Sequence, residues 1–124
     1  MSKHNDIGRE GEFLAQQYLL SHGFAILDTN LRKGKFEVDI VAYREGLIVF
    51  VEVKTRSRLD YGNPEEFVDI SKQKAYFRMA NAYVLEHNRD EEVRFDIISV
   101  EMNSEGYNIN HIENAFAPWE FRKR

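Results

Sequence analysis

The sequence predicts an α/β or α+β fold, in which a mixed β-sheet is flanked by helices. Helix-type and strand-type periodicities follow one another in the order helix, three strands, helix, two strands. The chain has 124 residues, the length of one ordinary domain, and 43% of them are hydrophobic, which is enough for one core. No repeat, low-complexity tract or linker divides it, so we expect a single domain over residues 1–124.

The first predicted element is a helix over residues 6–22. Asn5 or Asp6 can cap its start, and Gly23 is suited to its end. The apolar and small residues that recur at helical spacing are Ile7, Gly11, Leu14, Ala15, Tyr18 and Leu19. This pattern is typical of a helix that buries one stripe against a core.

Three strands are predicted next. Residues 24–28 form a short apolar strand, which a polar connector over residues 29–34 follows. Residues 35–43 and 47–54 alternate in polarity on either side of a Glu-Gly turn at 45–46, which predicts a hairpin.

The second half predicts a loop, a helix and another hairpin. The polar run over residues 57–66 contains a glycine and a proline and indicates a loop. The helix begins at residue 65 or 71 and ends at residue 87, and two strands follow at 93–102 and 107–112 around Gly106.

Composition excludes several kinds of site. The chain has no cysteine, so disulfides, thiolate metal sites and cysteine nucleophiles are excluded. Its formal net charge of −4 rules out a uniformly basic coat, so any phosphate-binding surface must be local. No secretory leader pattern and no 18-residue apolar run are present, so we expect a cytoplasmic protein that does not enter a membrane.

Four ionisable residues meet on one face of the predicted hairpin. The register that the two-residue turn sets places Asp39 opposite Glu52 and Glu37 opposite Lys54. The other face of the hairpin then holds six apolar residues: Val38, Ile40, Ala42, Val49, Val51 and Val53. The paired carboxylates would repel each other in apolar surroundings unless something compensates their charge.

A divalent cation between Asp39 and Glu52 would reverse that repulsion, and hard oxygen ligands are those that Mg²⁺ prefers. Lys54, on the same face, is placed to hold a water or a phosphate oxygen near the metal. The alternative is a solvated network in which Glu37 pairs with Lys54, and Glu52 pairs with Arg56 or Lys35. That network leaves the contact between Asp39 and Glu52 unexplained.

Asp39 followed by Phe50-Val51-Glu52-Val53-Lys54 resembles the core of PD-(D/E)XK nucleases, and most of the chain resembles the YraN family of small bacterial proteins. The motifs that carry the second resemblance are Gly8-x-x-Gly11-Glu12-x-x-Ala15, residues 37–42, residues 50–56, Tyr61-Gly62-x-Pro64, Lys72-Gln73, Ala80-x-x-Tyr83, Arg94-Phe95-Asp96 and Asn114-Ala115-Phe116. This chain departs from the family in having Phe36 where glycine is common.

The resemblance implies a restriction-endonuclease-like α/β fold and Mg²⁺- or Mn²⁺-dependent hydrolysis of DNA. The analogy with archaeal Holliday junction resolvases extends this expectation to branched or damaged DNA. It implies that Glu12 joins Asp39, Glu52 and Lys54 as an active-site residue, with Asp39 and Glu52 as metal ligands. It also implies a homodimer, since a four-way junction has two symmetric scissile phosphates.

Basic residues beside the acidic site are candidate nucleic-acid contacts: Lys35 before the first acidic strand, Arg56 after the second, and Lys72 on the following helix. Two other function classes remain open. One is a nucleic-acid-binding module of the same fold that cleaves little, and the other is an interaction protein whose charged patch is an ion-pair network.

Overall fold

The computed structural model describes residues 3–57 and 69–117, and the predicted loop at 57–66 lies almost wholly outside them. Helix α1 spans Lys3–Ser21 and helix α2 spans Ile70–Glu86. The strands are β1 (Ala25–Lys33), β2 (Phe36–Arg44), β3 (Leu47–Ser57), β4 (Glu92–Asn103) and β5 (Gly106–Ile112). The predicted order of elements is therefore confirmed.

The five strands form one mixed sheet in the order β1-β2-β3-β4-β5. Strands β3 and β4 run parallel, with α2 in the connection between them, and the other neighbours are antiparallel. This α/β architecture, a mixed sheet flanked by two helices, is the fold that the resemblance implies.

One helix packs on each face of the sheet. Ala15 and Leu19 of α1 lie in a buried cluster with Val49 and Val51 of β3. The intervening residues of β3 face a second cluster, where Tyr76, Met79, Ala80 and Tyr83 of α2 are buried with Ile48 and Phe50. Because side chains alternate along a strand, β3 contributes residues to the cores on both faces of the sheet. Its polar residues beyond Val51 likewise alternate between the side of α1 and the side of α2.

Two expectations for the first half of the chain are wrong. The predicted connector over residues 29–34 belongs mostly to β1, because Arg32 and Lys33 stay paired with Glu37 and Phe36 of β2. The polar side chains of this stretch misled the prediction, since exposed polar residues surround Leu31, the residue through which the strand contacts the core. Helix α1 also begins earlier than expected, at Lys3.

Val38 does not share a face with Ile40 and Ala42, as the simple register predicts. Val38 is buried in the cluster beneath α2, whereas Ile40 and Ala42 are buried beneath α1. The alternation is interrupted between Val38 and Ile40, which pair with Leu31 and Thr29 on either side of Asn30, whose φ of 52° is left-handed.

The sheet forks where the candidate site lies. The predicted β2–β3 register is confirmed from the Arg44–Leu47 pair to the Ile40–Val51 pair, where the ladder between these two strands ends. Strand β1 stays paired with β2 as far as Lys33, and β4 stays paired with β3 as far as Ser57. Asp39 and Glu52 are the first residues beyond the last pair and stand at the fork.

Neither helix in the described part of the chain combines the length and apolar character needed to cross a membrane.

Candidate metal centre

Asp39 and Glu52 are two buried carboxyl groups in direct contact. Their residues are 8% and 5% exposed, and their side chains hydrogen-bond each other, which requires a proton on one of them. The Val53 N–H also donates to Asp39 Oδ2 at 2.7 Å, so the Asp39 side chain takes the place of a ladder partner at the fork. The register therefore predicted correctly that these two side chains meet.

The proton of the pair belongs to Asp39. Burial, the hydrogen bond with Glu52 and the Glu52 charge raise the pKa of Asp39 to about 8. Burial alone would raise the pKa of Glu52 as well, but the hydrogen bond from Asp39 and the Lys72 ammonium outweigh it and hold that pKa below its usual value. At neutral pH the protonated Asp39 carboxyl therefore donates to an ionised Glu52.

The Glu52 carboxylate attracts two cations to one oxygen. Lys54 Nζ lies 3.6 Å from Oε2, and Lys72 Nζ of α2 forms an ion pair with the same atom. A buried carboxylate that gathers two ammonium groups at one oxygen is suited to a divalent cation, which supplies the same charge from a single point.

Glu12 approaches the pair from the other side of the sheet. It lies on α1, where Asn30 Nδ2 donates to Glu12 Oε1 at 3.2 Å. Its charge is one of the causes that raise the pKa of Asp39, after burial and Glu52. Glu12 thus acts on Asp39 electrostatically, from a carboxylate held at the fork by the left-handed Asn30.

Gly11 sets how closely α1 approaches β3, next to Glu12. A Cβ atom added at Gly11 would stand 1.9 Å from Thr55 Oγ1, whereas one added at Gly8 would meet nothing within 4 Å. Gly11 is buried and helical, so glycine is required there by the close approach of Thr55 and not by the backbone conformation.

We expect Gly11→Ala to destabilise the protein by about 1–3 kcal/mol in urea unfolding, because α1 must move away from β3. Gly8→Ala is the matched control and should be neutral or stabilising by up to about 1 kcal/mol, through helix propensity alone. Adding Thr55→Ala should recover part of the loss, since it removes the two closest atoms. Equal effects of the two glycine substitutions would show that Thr55 does not constrain α1.

The alternative ion-pair network pairs Glu37 with Lys54, but the ion pair observed for Glu37 is with Arg32. Glu37 Oε2 lies 3.5 Å from Arg32 Nε, and the Glu37 carbonyl accepts a hydrogen bond from the Tyr76 hydroxyl at 2.9 Å. Because the β2–β3 ladder ends at the fork, Glu37 belongs to the β1–β2 hairpin and takes its charge partner from that hairpin.

The three candidate nucleic-acid contacts have different positions. Lys72 is in the site, in contact with Glu52. Arg56 lies two residues beyond Lys54 on the same face of β3, and Lys35 is exposed in the β1–β2 turn, with Nζ 5.4 Å from the Phe36 ring centroid. Lys35 and Arg56 therefore lie to the sides of the fork, and Lys72 lies within it, against Glu52.

A second group of possible metal donors lies elsewhere in the sheet. Ligand atoms of Asp96, His111 and Glu113 lie within 4.8 Å of one another, close enough to hold a metal ion. The Asp96 oxygens are already fully used, because Arg94, His111 and the Asn114 N–H donate to them at 2.7–3.0 Å. Arg94 Nη2 also lies 3.2 Å from Glu113, so a cation there would have to displace a guanidinium.

Both the Asp39–Glu52 pair and the Asp96 cluster contact residues that the sequence analysis did not identify as site residues. Tyr76 follows Lys72 by one helical turn, and the position of Asn30 in a polar run ahead of Gly34 is typical of a left-handed residue. Tyr18 Oη lies 3.0 Å from His111 Nδ1, and this pairing of α1 with β5 leaves no local signal.

Comparison with known proteins places the chain in a family. The profile of the uncharacterised protein family UPF0102 matches residues 11–100. A UPF0102 protein of Bacteroides thetaiotaomicron is 48% identical over 95% of this chain and 98% of its own length. A UPF0102 protein of Flavobacterium psychrophilum is 43% identical over 94% of this chain and 98% of its own length. One of Alkaliphilus oremlandii is 45% identical over 89% of this chain and 97% of its own length. The chain therefore belongs to the uncharacterised protein family UPF0102, the YraN family that its motifs resemble.

Proposed function

We propose that this protein is a divalent-cation-dependent endonuclease that acts on DNA, with Asp39 and Glu52 as the ligands of Mg²⁺ or Mn²⁺. The observation that carries the proposal is the buried Asp39–Glu52 contact, in which the pKa of one carboxyl is raised and two ammonium groups converge on the other. A doubly charged ion can take the place of the proton and of an ammonium group, and carboxylate oxygens suit such an ion.

The bound cation would supply Lewis-acid polarisation of a phosphate oxygen and a more acidic water. The residues of this chain perform the other tasks. Lys54, near Glu52, presents an ammonium with three donors, which can hold the attacking water or neutralise charge on the phosphate. Glu12, held by Asn30, adds a carboxylate on the α1 side of the fork and assists in orienting the cation.

The surroundings favour a nucleic acid as the substrate class, and the resemblance to junction resolvases favours DNA. Since the net charge is −4, attraction to a polyanion must come from basic groups near the fork, and Lys35, Arg56 and Lys72 supply them. We therefore expect binding that weakens steeply with salt. The homodimer implied by the resemblance to junction resolvases is part of the same proposal.

The test is cleavage of a labelled panel that contains single strand, duplex, flap, nick, four-way junction and the RNA equivalents, with Mg²⁺ or Mn²⁺. We expect metal-dependent cleavage by the wild type and a loss of about 100-fold or more in Asp39→Asn and in Lys54→Ala. Glu105→Gln, an exposed acidic position in the β4–β5 turn, is the control and should cleave normally.

Absence of cleavage on every substrate, with nucleic-acid binding equal in the wild type and both variants, would overturn the proposal. It would favour the alternative, a binding module of the same fold. Cleavage of RNA alone would retain the metal site but replace the substrate class.

A further inference from the structure

We propose that Lys72 is an internal counter-cation, which neutralises Glu52 in the metal-free protein and competes with the divalent cation for that carboxylate. This inference rests on the proposed function and concerns the regulation of the same site. Metal entry would release the Lys72 ammonium, which would then be available to a DNA phosphate.

The contact that carries the inference is the ion pair between Lys72 Nζ and Glu52 Oε2. The side chains of these residues are 28% and 6% exposed, so the pair lies at the rim of the buried centre. It falls on the same oxygen that Lys54 approaches at 3.6 Å. A divalent cation that uses this oxygen must therefore displace an ammonium group from it.

Lys72 has a fixed backbone position at the start of α2. Asp69 caps the helix, and its Oδ1 accepts from the Lys72 N–H at 2.8 Å, so Lys72 lies in the first helical turn. The Asp69 carboxylate offsets the partial positive charge of the helix N-terminus, and the Lys72 side chain is directed to Glu52 from there.

Lys54 and Lys72 differ in the element that holds them. Lys54 is fixed on β3, paired beside Ser99 of β4, and shares its strand with Glu52. Lys72 reaches Glu52 from α2 through a long side chain, whose Nζ also lies 5.7 Å from the Tyr76 ring centroid. Either ammonium can leave Glu52 by a rotamer change, but Lys72 is the one in direct contact with Oε2 and the one that a cation at this oxygen must displace.

Competition predicts that metal and DNA favour each other's binding. Once the cation holds Glu52, the released Lys72 has lost its anionic partner and gains one from a phosphate. By linkage, DNA that captures Lys72 must raise the affinity for the metal by the same factor.

The experiment is titration of Mn²⁺ into DNA-free protein, with free Mn²⁺ measured by electron paramagnetic resonance. We expect Lys72→Met, which keeps length and removes charge, to bind Mn²⁺ about tenfold or more tightly than the wild type. Lys72→Arg keeps the charge and should bind no more tightly than the wild type. Lys74→Met, an exposed position on the same helix, should bind like the wild type. Lys72→Gln repeats the neutral substitution if the methionine variant does not fold.

Two failures are distinguishable. If the wild type binds Mn²⁺ and the neutral Lys72 variants bind it equally or more weakly, the counter-cation role is overturned while the metal site stands. If the wild type and every variant bind no Mn²⁺, the proposed function itself fails and this inference fails with it.

Discussion

Asp39→Asn should stabilise the metal-free protein at alkaline pH and abolish its stabilisation by Mg²⁺ or Mn²⁺. Asparagine imitates the protonated aspartic acid, because its oxygen can accept from the Val53 N–H and its amide can donate to Glu52. It cannot ionise, so it carries none of the cost of placing a second buried negative charge beside Glu52, and it is a poor ligand for a hard cation.

The pH dependence follows from the raised pKa of Asp39. Between its unfolded pKa near 4 and its folded pKa of about 8, the folded protein retains a proton that the unfolded chain has lost. The contribution of Asp39 is therefore fully present below about pH 4 and is lost as the pH rises through 8. Each pKa unit corresponds to about 1.4 kcal/mol, so we expect Asp39→Asn to be more stable than the wild type by at least about 2 kcal/mol at pH 9.

Urea unfolding at pH 5, 7 and 9, with EDTA and with Mn²⁺, measures both effects. Glu105→Gln is the control and should follow the wild type at every pH and metal concentration. Stabilisation by Mn²⁺ should be large in the wild type and absent in Asp39→Asn. Equal stabilisation of both proteins by Mn²⁺ would show that Asp39 is not a ligand.

Asp96→Ala should be strongly destabilising, although Asp96 lies outside the candidate site. Asp96 is fully buried and accepts a bidentate pair from Arg94, a hydrogen bond from His111 Nε2 at 2.7 Å and one from the Asn114 N–H at 3.0 Å. Removal of the carboxylate leaves these donors unsatisfied, which is expected to cost about 3–5 kcal/mol.

The same network ties α1 to the sheet, since His111 also contacts the Tyr18 hydroxyl. Burial alone would raise the pKa of Asp96, but the hydrogen bonds from His111 and Arg94 outweigh it and hold the pKa below its usual value. Its stabilising contribution is present above the unfolded pKa near 4 and is lost as the pH falls below it.

Urea unfolding at pH 7 tests the Asp96 prediction, with the exposed Asp90→Ala as the control, which should change stability by less than about 0.5 kcal/mol. A loss below about 1 kcal/mol in Asp96→Ala would show that the network contributes little. Stability restored to Asp96→Ala by Arg94→Met would support the unsatisfied guanidinium as the source of the loss.

Local chemistry explains what the sequence could predict. The Glu-Gly turn at residues 45–46 and the alternation beside it were enough for the β2–β3 register, and hence for the meeting of Asp39 and Glu52. The helix caps and strand periodicities were likewise enough for the element order. Both signals lie within a few residues of the feature that they predict.

The parts that could not be predicted depend on contacts between distant segments. The Lys72–Glu52 pair needs the packing of α2 on the sheet, and the requirement for glycine at Gly11 needs the position of Thr55. The change of face at Val38 occurs beside the left-handed Asn30 of the neighbouring strand, and strict alternation within β2 cannot reveal it. Tertiary packing determined all three features. The local sequence pattern either predicted a different arrangement or gave no signal.

The most direct test is the position of Mn²⁺ in crystals grown with that ion, located by its anomalous scattering. We expect a peak bonded to carboxylate oxygens of Asp39 and Glu52, with the Lys72 ammonium displaced from Glu52. A peak at Asp96, His111 and Glu113 with none at Asp39 and Glu52, or no peak at either group, would contradict the assignment of Asp39 and Glu52 as metal ligands.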